Sequence, residues 1–482
     1  MKSPAPAGSE SPRNGRPARQ GPWMLVIGCL LVAVAAYYFF RARTADSGQT
    51  AAQRARPARD AAWGSASFAG SGAGAPGGAR HGQTAEQIVA DKVKRFGESR
   101  LAIEEQIARG LHRDVPMEIK RFFDAIEAGD WDQIKAQFHE LAVHSSQYEY
   151  SKDHWPELDP FWPALLDAYG VAEQAHAWPA QQLLDYGQAV LNSLQPGMVY
   201  VGGTDNGRWI PELLNETSGG EPHMMITQNA LADSRYVDYL NTLYGGQLTA
   251  LTPTDLQQAF QDYTADAQKR LAHDQQFPDE PKQVRPGENL VNADGTFQIS
   301  GQSAVMAINA RLLDTLMQKN PGLSFAMEES FPMTGTYANA VPLGPLMELN
   351  VPDAQTAFNA DVASQSLGYW QATADNILAD PVASASDATL KSYAHDAVAA
   401  ANLLAAHNYS DDARQTYEIA SQLWPGSGEA AFGLAQLLAR NGQNDAALQV
   451  LDNFARSNPD QASAVQSVRS QITAAPPVAR TP

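Results

Sequence analysis

The chain contains one cysteine, Cys29, in 482 residues. No intramolecular disulfide can form, so cysteine usage does not report the redox compartment. Zinc sites built on Cys/His sets are excluded for want of thiols. The GxxxxGK[ST] phosphate loop is missing, and so is HExxH. "HELAVH", His139 to His144, spaces its imidazoles wrongly for one helix face, and a solvated helix is the simpler reading. "GSGAG" at residues 70–74 lies in a low-complexity stretch and is not a nucleophile elbow. Positive charge is scarce and unevenly spread. Residues 1–81 hold ten Lys/Arg and three Asp/Glu, a balance of +7, so a total of -19 leaves the remainder at -26. A body this acidic repels phosphate backbones, which argues against nucleic acid as a partner. Neither a cofactor nor a metal site is indicated.

"WMLVIGCLLVAVAAYYFF", Trp23 to Phe40, holds no charged group. As a helix it would run about 27 Å, close to the roughly 30 Å hydrocarbon core of a bilayer. Trp23, Tyr37 and Tyr38 suit the two interfaces. The run is long, ends in bulky aromatics and lacks a small-x-small cleavage site, which favours a single-pass anchor over a cleaved signal. The apolar run continues past Cys29, so "VIGC" does not close it as a lipoprotein box would. Basic residues flank both sides and do not decide orientation. A short tail before the anchor suggests a cytoplasmic N-terminus, with the body periplasmic at the inner membrane of a bacterial cell.

The chain divides into a disordered tail (1–20), an anchor (21–43), a Gly/Ala/Ser linker (44–83), a helical region (84–181), an α/β domain (182–355), a second helical region (356–472) and a frayed tail (473–482). In the first helical region, Ile119, Phe122, Phe123 and Ile126 line one face, Gly129–Asp130 turns, and Ile134 and Phe138 line the return. The aromatic loop "WPELDPFWP", Trp155 to Pro163, either packs beneath itself or offers rings to sugars. In the α/β domain, Met198–Val201 reads as a strand, "RWIPELLNET" as a helix with Pro211 early enough to be tolerated, Met224–Asn229 as a second strand, and "DSRYVDYLNTLYGG" as a second helix capped by Asp233 and stopped at Gly245. This β-α-β-α alternation predicts a small Rossmann-like parallel sheet flanked by helices. "LSFAMEES" and "PLMELNV" are further strand candidates, and residues 274–302 read as a long loop.

Near the C-terminus the sequence repeats at thirty-four residues. Ala401 aligns with Ala435, Ala413 with Ala447, Tyr417 with Leu451, and Pro425 with Pro459. Small residues permit close helix crossing, the large one fills the next gap, and the proline follows a helix end. The pattern over about residues 393–465 resembles tetratricopeptide repeats. Two repeats rarely stand alone, so they should dock on the body. The fold class is therefore α/β plus all-α: an N-terminal transmembrane helix, a helical segment, the small sheet domain and C-terminal helical repeats.

Ligands of open α/β sheets bind beyond the carboxyl ends of the strands. The candidate ligand-binding residues at two such ends are Thr204, Asp205 and Asn206, with Gln228 and Asn229. Asp and Asn can hydrogen-bond sugar hydroxyls or amides. The same residues also suit a tight strand-to-helix turn. Glu328–Glu329 is a carboxylate pair, but strand neighbours face opposite sides, so at most one serves a site, and no acid–base partner is assignable. No catalytic residue is identified.

"LNSLQPGMVYVGGTDNGRWIPELL", "VDYLNTLYGG", "GLSFAMEESFP" and "LGPLMELN" together resemble the soluble C-terminal region of a bacterial membrane-protein family of unknown function, related to protein O-glycosyltransferases with many transmembrane helices. The turn here reads Gly203-Thr204-Asp205-Asn206, its acidic position offset by one from that family's Gly-Asp-Asn-Asp, and the multi-helix membrane domain is missing. The resemblance implies an envelope-facing α/β and repeat module, with no transferase activity carried over. Two functions follow as expectations. The first is a non-enzymatic, membrane-anchored envelope protein whose α/β and repeat regions bind a protein partner. The alternative is a small-ligand or glycan-binding module, or a weak enzyme, centred near Asp205 and Asn229.

Overall fold

The computed structural model describes residues 82–145, 153–219, 222–293 and 296–474. The expected tail and membrane anchor lie outside the described residues, as does nearly all of the linker. Among the described residues no helix is long and apolar enough to cross a membrane.

α1 (Ala85–Gly110) starts at a capping box in which Thr84 and Gln87 satisfy each other's backbone donors. α2 (Met117–Ala128) and α3 (Trp131–His144) form the expected hairpin. Gly129 at its turn has φ 69°, a left-handed conformation that costs glycine nothing. Asp130 caps α3 through Gln133 N at 3.1 Å. The ring of Phe138 stacks on Tyr169 of α4 (Trp162–Ala177) at 3.8 Å. In the stretch Trp155–Pro163, Phe161 and Trp162 are buried, and Trp155 stacks on His144 at 3.7 Å. Phe161 and Trp162 pack within the protein, and Trp155 is half-buried against it.

After α5 (Ala180–Ser193) come β1 (Val199–Gly202), α6 (Asn206–Glu216), β2 (Met225–Thr227) and α7 (Ser234–Tyr244). Asp233 caps α7 through Arg235 N at 3.0 Å. Pro211 lies inside α6 and has no N–H to give the carbonyl of Gly207. The buried Tyr200 hydroxyl donates to that carbonyl instead, so the helix continues through its proline.

α8 (Pro253–Gln276) is followed by β3 (Asn289–Ala293) and β4 (Thr296–Ser300), an antiparallel hairpin. This corrects the expectation of a featureless loop over residues 274–302. The pair Asp294–Gly295 between the strands, a stock hairpin-turn dipeptide, was the overlooked signal. α9 (Gln302–Lys319) leads to β5 (Phe325–Met327), then β6 (Val341–Leu343) and β7 (Leu346–Leu349).

The main sheet has five strands in the order β2-β1-β5-β7-β6. β1 runs parallel to β2 and β5, whereas β7 is antiparallel to both β5 and β6. The sheet is therefore mixed, not wholly parallel as the βαβα alternation suggested. Only a tight turn at Gly344 joins β6 to β7, and parallel pairing would need a crossover.

α10 (Ala354–Ala357) and α11 (Ala360–Ala379) precede the repeats. α12 (Asp387–Ala406) pairs with α13 (Ser410–Leu423), and α14 (Gly428–Arg440) with α15 (Asn444–Ser457); α16 (Ala462–Ala474) closes the stack. Ala401, Ala413, Ala435, Ala447, Tyr417 and Leu451, the residues carrying the repeat, are all buried. The repeats dock on the body as expected. His407 Nε2 lies 2.7 Å from the Tyr337 carbonyl, and Tyr409 donates to the Phe358 carbonyl at 2.7 Å.

A buried charge network joins the first helices to the sheet domain. Arg100 of α1 donates to Glu212 at 2.7 Å and to Glu216 at 2.8 Å on α6. Arg208 donates to Asp167 of α4 at 2.6 Å and also pairs with Glu212. Asp167 accepts a further bond from Tyr239 at 2.9 Å.

Candidate functional site

The turn after β1 carries the chain from the carboxyl end of that inner strand into α6. Asp205 caps that helix, accepting from Gly207 N at 3.1 Å. Arg208 fixes the turn by donating from Nε to the Gly203 carbonyl at 2.7 Å. Beside it, β5 continues past its last paired residue, held by Glu328 N on the Val201 carbonyl at 2.9 Å. The two segments almost touch. A Cβ on Gly203 would lie 2.1 Å from Ser330 Oγ, and one on Gly207 would lie 2.3 Å from Glu328 Cδ. These glycines admit the end of β5. They are not a cradle for a ligand's backbone approach.

Gly207→Ala is accordingly expected to cost about 1–3 kcal/mol, the usual range for overpacking a tight interior. The Glu328 carboxyl is 2% exposed and has little room to yield. Chemical denaturation checks this; an unchanged midpoint would show that the segments are not in contact.

The first repeat closes the other side. Asn206 Nδ2 donates to Ser392 Oγ of α12 at 2.6 Å, and Tyr186 donates to Asp396 at 3.0 Å. His395 Nδ1 lies 2.8 Å from Glu429 Oε2 at the start of α14, and its Nε2 lies 2.9 Å from the Glu329 carbonyl. Both ring nitrogens thus face acceptors, which only the imidazolium satisfies with two donors. Burial works against that charge, but Glu429, Glu328 and Asp396 together hold the His395 pKa well above the ordinary imidazole value.

Between these walls lies a cleft of about 320 Å³, lined by Asp205, Asn206, Glu328, Lys391, Ser392, His395, Trp424, Ser427, Gly428 and Glu429. Of the residues expected from sequence, Asp205 and Asn206 line it. Thr204, Gln228 and Asn229 do not. Asn229 donates to Thr204 Oγ1 at 3.1 Å. The Gln228 amide, turned so that its oxygen faces donors, accepts from Ser330 N at 3.1 Å and Phe331 N at 2.9 Å. Those three tie β1, β2 and the end of β5 together. Among the described residues no group of three or more His, Cys, Asp or Glu side chains is placed to hold a metal ion.

The two carboxylates of Glu328–Glu329 part as strand neighbours should. Glu328 lines the cleft, where burial, Asp205 and Asp396 push its pKa well above the ordinary carboxyl value. Burial raises Asp396 to about 7, aided by Asp205 and opposed by His395 and Tyr186. Glu329 points away. It accepts from Met333 N at 2.7 Å and Tyr337 Oη at 2.6 Å, and burial lifts it to about 7.

A raised carboxyl pKa lowers stability as pH rises, because the unfolded chain ionises first. For Glu329 the window runs from its ordinary 4.5 to about 7. The loss should be on the order of 3 kcal/mol across it. Stability measured by urea unfolding is expected to fall from pH 5 to pH 8. Glu329→Gln should flatten that fall, and an unchanged slope would show that Glu329 does not carry it.

Sequence reasoning missed His395, Glu429, Lys391 and Trp424. One signal could have found the first two. They are one repeat period apart, so stacking the repeats sets them side by side.

Residues 394–472 match the tetratricopeptide repeat family. No curated protein and no solved structure matches the chain. Repeats of this kind generally mediate protein–protein contacts through their stacked helical surfaces.

Proposed function

We propose that this is a single-pass, membrane-anchored envelope protein whose α/β domain and repeats together bind a protein partner in a scaffold or accessory role. One observation carries the partner-binding part. The repeat pair is seated so that the start of α14, Ser427–Glu429, borders the cleft. The apolar run at Trp23–Phe40 and the long linker support the tether. A photo-crosslinking amino acid at Glu429, in the full chain in cells, is expected to trap a discrete adduct. The same probe at Glu418, on the second helix of the first repeat, should not. Equal or absent labelling at both positions would contradict the reading. A periplasm-active reporter fused after the linker checks the orientation; activity only with the reporter before Trp23 would reverse it.

A glycan-binding reading of the cleft rests on Asp205 and Asn206 beside Trp424. A thermal shift with saccharides, abolished by Asp205→Ala, would favour it over a protein partner. A ligand at a hundred times its dissociation constant stabilises by about 2.7 kcal/mol, which such a scan resolves.

A further inference from the structure

The cleft gathers more carboxyl groups than cations. Asp205 comes from the α6 cap, Glu328 from the end of β5 and Glu429 from α14, while Asp396 of α12 is buried against Tyr186 and does not line the cleft. Against them stand two cations, His395 and Lys391, both on α12. Both are already engaged. His395 is held between Glu429 and the Glu329 carbonyl. Lys391 Nζ sits 4.8 Å from the Trp424 ring centroid, at cation–π distance. The neutral groups facing the carboxyls are Tyr186, Tyr200, Asn206, Ser330 and Ser392.

Glu328 is the exceptional member. It is 2% exposed, yet it lines the cleft. Its Oε2 accepts from Ser330 Oγ at 2.7 Å. Its Oε1 accepts no hydrogen bond among the described residues, and the nearest cationic nitrogen, His395 Nε2, is 3.9 Å away and committed elsewhere. A buried carboxyl with an open acceptor facing a cavity lacks a donor. The region beyond residue 81 carries a net charge of -26, which draws cations toward any opening in it.

We infer that the cleft receives a lysine or arginine side chain of the protein partner, its cationic head hydrogen-bonded to Glu328 Oε1 and beside Asp205. The inference rests on the partner-binding reading and names the chemistry that the partner presents. The volume of about 320 Å³ suits one long side chain and its flanking backbone better than a folded surface. The arriving cation supplies a donor and a positive charge at the open oxygen, which favours the ionised carboxyl. Glu328 then gives up its proton to solvent, so binding is coupled to proton release.

The test is calorimetric titration of the full chain, in a mild detergent at pH 6.5, with acetyl-Gly-Lys-Gly-amide and its Gln and Glu counterparts. Each titration is run in two buffers of different ionisation enthalpy. The lysine peptide is expected to bind at least about tenfold more tightly than either counterpart, a difference of about 1.4 kcal/mol. It should release up to one proton. Glu328→Gln should weaken it by a similar factor and abolish the release. Asp205→Asn should weaken it and keep the release, which covers the case in which the first variant does not fold. No binding, equal binding of the three peptides, or binding without proton release would overturn the inference. If a crosslinked adduct at Glu429 still formed in cells, the partner reading would survive and only the basic side chain would be lost.

Discussion

Replacing Arg100 by alanine is expected to cost about 3–5 kcal/mol, because it strips a buried ion network of one of its two cations. Arg100 is fully buried, and Glu212 and Asp167 beside it are nearly so. With Arg100 gone, Arg208 alone would face Glu212 and Asp167, and Glu216 would lose a two-pronged partner. A carboxylate left in such surroundings takes up a proton or admits water, and both weaken the fold. The effect should reach across the molecule, since Arg100 lies on α1 and its partners on α6. Urea unfolding of the variant should show the loss together with a raised amplitude of motion in residues 85–110 by hydrogen exchange. A loss under about 1 kcal/mol would mean that the network is wet and weak.

The second large effect is expected at Trp209, 1% exposed on α6. Its ring lies against α4 where Gly170 leaves space; a Cβ there would sit 2.1 Å from Trp209 Cε2. Trp209→Ala should cost about 3–5 kcal/mol through lost burial and the cavity left behind. Gly170→Ala, which intrudes on the same ring, should cost about 1–3 kcal/mol. The two changes share one contact and should not add. Additive losses in the double variant would contradict the packing described.

These two residues help explain what was legible in the sequence. "MVYVGGTDNGRW" announces a strand, a turn and a helix, because β-branched runs and Gly/Asp/Asn turn residues are local signals. The thirty-four-residue period announced the repeats, since each unit buries the same positions against its neighbour. Asp205 and Asn206, expected at a strand end, line the cleft. The remainder required distance in the chain to become proximity. Glu328 meets Asp205 only after β5 pairs with β1, and His395 arrives from a repeat docked by its first helix. Gln228 and Asn229, expected at the second strand end, lie outside the cleft lining, where the Gln228 oxygen accepts from Ser330 N and Phe331 N and the Asn229 nitrogen donates to Thr204. The glycines of "GGTDNG" read as room for a ligand or a turn, and the neighbour that needs the room, Glu328–Ser330, is more than a hundred residues away.

The central claim is that the repeats sit on the strand ends and complete the cleft. Its most direct measurement is an intrachain crosslink. In a Cys29→Ser background, cysteines at Asn206 and Ser392, whose side chains meet at 2.6 Å, should be bridged rapidly by a short bismaleimide in the folded protein. The bridge should not form in urea, nor between cysteines at Asn206 and Glu418. Failure of the first pair to bridge in a folded chain, or equal bridging of the control pair, would contradict the docked arrangement and the cleft built on it.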